Sequence, residues 1–144
     1  MQLDMMLLAN YAEAPTGLLY IIGGGIDTVT VNAPLEGPNV PSDAFTVMNA
    51  YLVVRLAFHS TETGREHAFE IGVVDEDGNE LPGKAGGSVR VERQPGLPPN
   101  WAQKVNIVMP LLGLPIPKPG QYVVNLTVNG QFVGDTAFRV LKGF

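Results

Sequence analysis

The chain has 144 residues, enough for one domain with a full apolar core. Its formal charge of −5, from 9 basic and 14 acidic residues, argues against nucleic acid as a partner, because that affinity rests on neutralising phosphates with Lys and Arg. The absence of cysteine excludes disulfides, thiolate catalysis and thiolate metal sites, and agrees with a reducing cytoplasm.

The opening segment, MQLDMMLLANYAEAPTG, has no basic n-region and carries Asp4, so it reads as the start of a cytoplasmic protein rather than a leader. No run approaches the roughly 18 apolar residues of a membrane helix, so no membrane partner is expected. Gln2 to Ala12 is predicted as a strand that is apolar on both faces. Leu3, Met5, Leu7 and Ala9 fall on one side, Met6 and Leu8 on the other. After the turn EAPTG, Leu18 to Ile22 and Ile26 to Val31 are β-prone, and the Gly23-Gly24-Gly25 triplet between them predicts a bulge or sharp bend.

Asn32 to Asp43 is rich in proline and reads as a loop, and Phe45 to His59 is the longest β-prone run, expected to be a central strand. The chain then turns at Gly64, and His67, Phe69, Ile71 and Val73 alternate against Glu66, Ala68, Glu70 and Gly72, which predicts a strand with one wet face. DEDGNE, at Asp75 to Glu80, makes the next turn, and Ser88 to Glu92 is a short strand with Val89 and Val91 inward. Trp101 is expected to pack over the edge of the core. Lys104 to Leu111 is a strand that Pro110 should end, and LGLPIPKP reads as an extended crossover. Two alternating runs around Asn129-Gly130 then predict a hairpin with a two-residue type I′ turn. The 17 glycines and 12 prolines punctuate short strands and leave no room for a long helix. The fold expected over residues 1–144 is therefore a single all-β domain, a two-sheet antiparallel β-sandwich of about eight strands.

The ordered features Asn10-Tyr11-Ala12, Leu18 to Asp27, Val54-Arg55-Leu56, Gly64, His67, Asp75-Glu76-Asp77-Gly78 and Pro119-Gly120-Gln121-Tyr122 resemble a family of small bacterial proteins of unassigned function. The resemblance spans nearly the whole chain and implies an immunoglobulin-like β-sandwich with no known chemistry. The Gly23-Gly24-Gly25 triplet and the prolines near Pro115 depart from the pattern.

Several constellations bear on function. His59 and His67 flank a turn, and in one hairpin register they face each other, but zinc sites use three or four ligands and no cysteine completes the set. A hydrogen-bonded, partly buried His67 beside Phe69 is the plainer reading. Asp75, Asp77 and Asn79 echo the first half of a calcium loop, yet the twelfth position falls at Gly86, so a solvated turn with Gly78 left-handed is favoured. The glycine triplet lacks the Lys and Ser/Thr of a phosphate loop, and nothing implies a cofactor. Ser42, Ser60 and Ser88 are the serine nucleophile candidates, without a nucleophile elbow. Glu62, Glu66, Asp75, Asp77 and Glu80 read as solubilising charges rather than a glycosidase pair. Trp101, Tyr20 and Tyr51 would have to carry any sugar platform.

The N-terminal strand is more telling. Met1, Leu3, Met5, Met6 and Leu8 are its expected interface residues, because a strand apolar on both faces needs cover, either from a loop such as LGLPIPKP or from a second subunit. The expected function is a non-enzymatic interaction or structural module, a homo-oligomer or an accessory subunit of a larger bacterial or phage assembly. The alternative is a ligand- or metal-binding module built on His59, His67, Asp75 and Asp77.

Overall fold

The computed structural model describes residues 1–40 and 43–144. The β-prone runs form nine strands among the described residues: β1 (Gln2–Glu13), β2 (Tyr20–Gly24), β3 (Thr28–Val31), β4 (Thr46–Phe58), β5 (Arg65–Asp75), β6 (Ala85–Val91), β7 (Gln103–Ile116), β8 (Gly120–Val128) and β9 (Gln131–Lys142). A 3-10 turn occupies Ser60–Glu62. The protein is all-β, with one sheet in the order β2-β1-β4-β7 and a second in the order β3-β9-β8-β5-β6. One of the two is curled into a half-barrel.

Period-two alternation builds the core. From β4, Met48, Ala50, Leu52, Val54, Leu56 and Phe58 point to one side and meet Ile71 and Val73 of β5, Tyr122, Val124, Leu126 and Val128 of β8, and Phe138 and Val140 of β9 in one buried cluster. Each of the Val, Leu, Ile, Phe and Met side chains among them contributes about 1.5–3 kcal/mol by leaving water. The alternation expected in β5 holds, with His67, Ile71 and Val73 buried and Glu66, Ala68 and Glu70 exposed. The predicted type I′ turn is present: Asn129 and Gly130 have φ of 52° and 79°, and Val128 pairs with Gln131. Gly78 is left-handed at φ 82°, as the acidic turn requires.

The bend expected at the glycine triplet is present, with Gly23 and Gly25 left-handed, and it is also a change of sheet. Four expectations need correction. The sheets are not antiparallel throughout: the chain leaves the four-stranded sheet to lay β3 beside β9 in the same direction, the one parallel pairing among the described residues. Pro110 does not end its strand. β7 continues to Ile116, burying Leu114 and Ile116, because it is an edge strand and a proline can lie on its unpaired side. β4 and β5 are not a hairpin, since the 3-10 turn carries the chain from one sheet to the other. Trp101 is 59% exposed and does not cover the core.

Candidate functional site

The far side of the four-stranded sheet, away from the main core, carries an arrangement that the sequence reading only partly anticipated. β1 does not alternate evenly. Its register against β4 shifts between Leu3, which faces Leu56, and Met5, which faces Arg55, so Asp4 is the extra residue of a bulge. Leu3 therefore joins Met6 and Leu8 on the core side, whereas Met5, Leu7 and Ala9 pack on the outer side with Tyr51, Val53 and Val108. This corrects the expected interface of Met1, Leu3, Met5, Met6 and Leu8. Leu8 is 1% exposed and belongs to the core, and Leu3 and Met6 pack against it. Of the five, Met5 lies on the outer face and Met1 is exposed.

Cover for the outer face also comes from an unexpected segment. LGLPIPKP lies largely within β7, while the β1–β2 loop folds over the sheet, inserting Leu19 against Ala9 and Val53. The Gly17 carbonyl of that loop accepts a hydrogen bond from Asn106 Nδ2 at 2.8 Å. Beside it, Asp4 pairs with Lys104 at 2.8 Å and lies 3.9 Å from Arg55, so this end of the face is polar.

The other end is apolar. Tyr11 packs edge-on against Tyr51 with ring centroids 5.1 Å apart, and it pairs across the strands with Ile22. Tyr11, Leu18, Tyr20, Ile21 and Ile22 account for five of the eleven large hydrophobic side chains exposed among the described residues, all within one hairpin. Every residue of β2 is exposed, and Ile22 is 65% exposed. The Tyr11 hydroxyl donates to Glu13, and that hydrogen bond holds the phenol above its ordinary pKa.

The residues weighed for metal binding are engaged in structure. His67 is 1% exposed, its Nε2 lies 2.7 Å from the Glu62 carbonyl and its Nδ1 lies 2.9 Å from Asn129 Nδ2. A backbone carbonyl can only accept and an amide NH₂ can only donate, so the ring is the neutral Nε2–H tautomer. His59 is exposed and caps the 3-10 turn, its Nδ1 accepting from the Thr61 N–H at 3.2 Å. Asp75 Oδ1 accepts from the N–H groups of Asp77 and Asn79, both at 2.9 Å. The Asn79 and Asp77 N–H groups hold the Asp75 carboxyl below its usual range against the opposing effect of burial. No group of three or more His, Cys, Asp or Glu able to hold an ion occurs among the described residues.

The serine and carboxylate candidates do not converge. Neither imidazole hydrogen-bonds a serine hydroxyl among the described residues, and Ser42 lies outside them. Glu62 pairs with the Met1 ammonium at 2.7 Å, Glu80 with Lys84 at 3.3 Å and Asp77 with Lys118 at 3.5 Å.

Residues 4–141 match DUF6941, a family of unknown function. The chain belongs to that family. Its unassigned function is what the sequence resemblance implied. No curated protein matches the chain. Among solved structures, the chain is similar at 11% identity and a TM-score of 0.39 to the Pseudomonas fluorescens alkylpurine DNA glycosylase AlkC bound to DNA containing an abasic site analog, over 94% of this chain. It spans 30% of that enzyme's length. No helix of the described residues is long and apolar enough to cross a membrane.

Proposed function

We propose that this member of DUF6941 is a non-enzymatic, cytoplasmic interaction module of bacterial origin, an immunoglobulin-like β-sandwich that binds another polypeptide through its β1–β2 hairpin. It serves as a homo-oligomer or as an accessory subunit of a larger bacterial or phage assembly. The observation that carries this reading is the concentration of exposed apolar side chains, Tyr11, Leu18, Tyr20, Ile21 and Ile22, in a hairpin whose last strand is an uncharged sheet edge. Apolar groups left in water at one place, when the same fold buries Leu8, Phe58 and Tyr122, are where association recovers the most free energy. The acidic balance of the chain and the dispersal of its cations favour a protein over a nucleic acid.

Photo-crosslinking tests this reading. A photoreactive amino acid at position 20 in host cells is expected to form adducts with polypeptide, and the same group at the exposed position 132, in β9 of the other sheet, is not. Absence of adducts at position 20, or equal adducts at both positions, would overturn it.

A further inference from the structure

We infer that the hairpin's occupant is a second copy of this chain, with β2 pairing antiparallel to β2 of that copy about a two-fold axis at Ile22. This rests on the interaction reading above and names its partner. Four strands lie at sheet edges among the described residues, and three are blunted. β7 contains Pro110 and Pro115, β6 carries Arg90 and is flanked by Lys84 and Glu92, and β3 has only four residues. β2 reads Tyr-Ile-Ile-Gly-Gly, with neither charge nor proline. Its left-handed Gly23 leaves the register with β1 the same on both sides, from Tyr20 opposite Glu13 to Gly24 opposite Ala9.

The order of side chains in β2 selects a second copy over an arbitrary extended peptide. In an antiparallel pair centred on Ile22, Tyr20 of each copy falls opposite Gly24 of the other, and Ile21 opposite Gly23. Large side chains thus lie over positions that have none, the arrangement by which an aromatic compensates a cross-strand glycine. Only Ile22 meets its like, apolar against apolar. The pairing satisfies a row of backbone groups that otherwise face solvent, and it is isologous, so it closes on itself as a dimer. Two copies that each carry a charge of −5 meet over a strand with no charge.

The wild-type chain has no cysteine, so single thiols report the register directly. Directly opposite Cβ atoms lie about 4.5–5.5 Å apart, at the limit of disulfide geometry, so Ile22→Cys is expected to form a covalent dimer under mild oxidation. Two copies of Tyr20→Cys would lie four residues apart along the strands, about 13 Å, and are expected not to link. Light scattering should give twice the 15.4 kDa chain mass for the wild type and half that value for Ile22→Lys, with an unchanged circular dichroism spectrum. A single-chain mass for the wild type, or equal linking of the two cysteine variants, would overturn the inference. Should a monomeric protein still crosslink through position 20 to a different polypeptide, the second copy is wrong and the interaction reading survives. A monomer that captures nothing at position 20 would remove both.

Discussion

Two hairpins of this fold, β8–β9 and β1–β2, spend their apolar residues differently. In the β8–β9 hairpin the turn is tight, Tyr122, Val124, Leu126, Val128, Phe138 and Val140 all face the core, and the turn residue Asn129 is itself tied down. Its Oδ1 accepts from the Ala68 N–H at 3.0 Å while its Nδ2 donates to His67. In the β1–β2 hairpin the connection is longer, the second strand is a sheet edge, and Tyr20, Ile21 and Ile22 are exposed. One hairpin is consumed by folding; the other retains apolar surface and free backbone groups after folding is complete. The difference separates what the chain needs to be stable from the apolar surface on which the proposed association rests.

The sharpest way to break this comparison is to truncate where folding takes everything. Phe58 is fully buried at the end of β4, its ring centroid 4.8 Å from that of His67. Phe58→Ala is expected to cost about 3–5 kcal/mol in a denaturant titration, the range for a large side chain lost from a core that relaxes incompletely. A cost near that of a surface substitution would mean that the core is not organised around β4.

A smaller loss is expected at the His67 corner. His67→Leu removes the part-buried hydrogen bonds to the Glu62 carbonyl and the Asn129 amide, at about 0.5–1.5 kcal/mol for each. Asn129→Gly keeps the positive φ the turn requires while removing both side-chain hydrogen bonds. The double variant should therefore cost less than the sum of the two singles, with a coupling of about 0.5–3 kcal/mol. Strict additivity would detach the turn from the imidazole.

The tied-down turn and the strand beside it were legible in the sequence, and much of the exposed hairpin was not. Asn129-Gly130, the alternation from His67 to Val73 and the left-handed Gly78 are local signals, each decided within a few residues. The bulge at Asp4 turns on a single residue of register, which moved Leu3 to the core side and left Met5 outside. The crossing between β4 and β5 brings His67 to Asn129, 62 positions away, and separates it from His59, its sequence neighbour across the turn. Leu19 as the cover over Ala9 and Val53 is likewise a long-range outcome that strand propensity does not encode. Leu18 to Ile22 was readable as β-prone with the glycine triplet as its interruption; that the strand would run on to Gly24 and lie at an edge depended on where the chain changes sheets.

Acid pH probes the same corner more gently. Burial by itself would raise the Glu62 carboxyl, but the Met1 ammonium and the His59 N–H outweigh it and hold the group below the usual carboxylate range. A pKa lower in the folded than in the unfolded chain gives stability that is full above the unfolded value and is lost as pH falls through the folded one. The melting temperature of the wild type should therefore exceed that of Glu62→Gln at neutral pH, and the gap should close in acid. A gap that widens as pH falls would reverse the assignment.

The smallest expected effect sharpens the comparison most. Ile22 is largely exposed on an edge strand, so Ile22→Lys removes almost no buried area and leaves no polar group without water. Its change in unfolding free energy should stay within about 0.5 kcal/mol, as for substitutions away from buried features, when measured at a concentration where the chain is monomeric. Raising the concentration should then separate the two proteins. Association adds to wild-type stability by mass action and leaves the lysine variant where it was. A concentration-independent loss of more than about 1 kcal/mol would show instead that Ile22 packs within its own subunit.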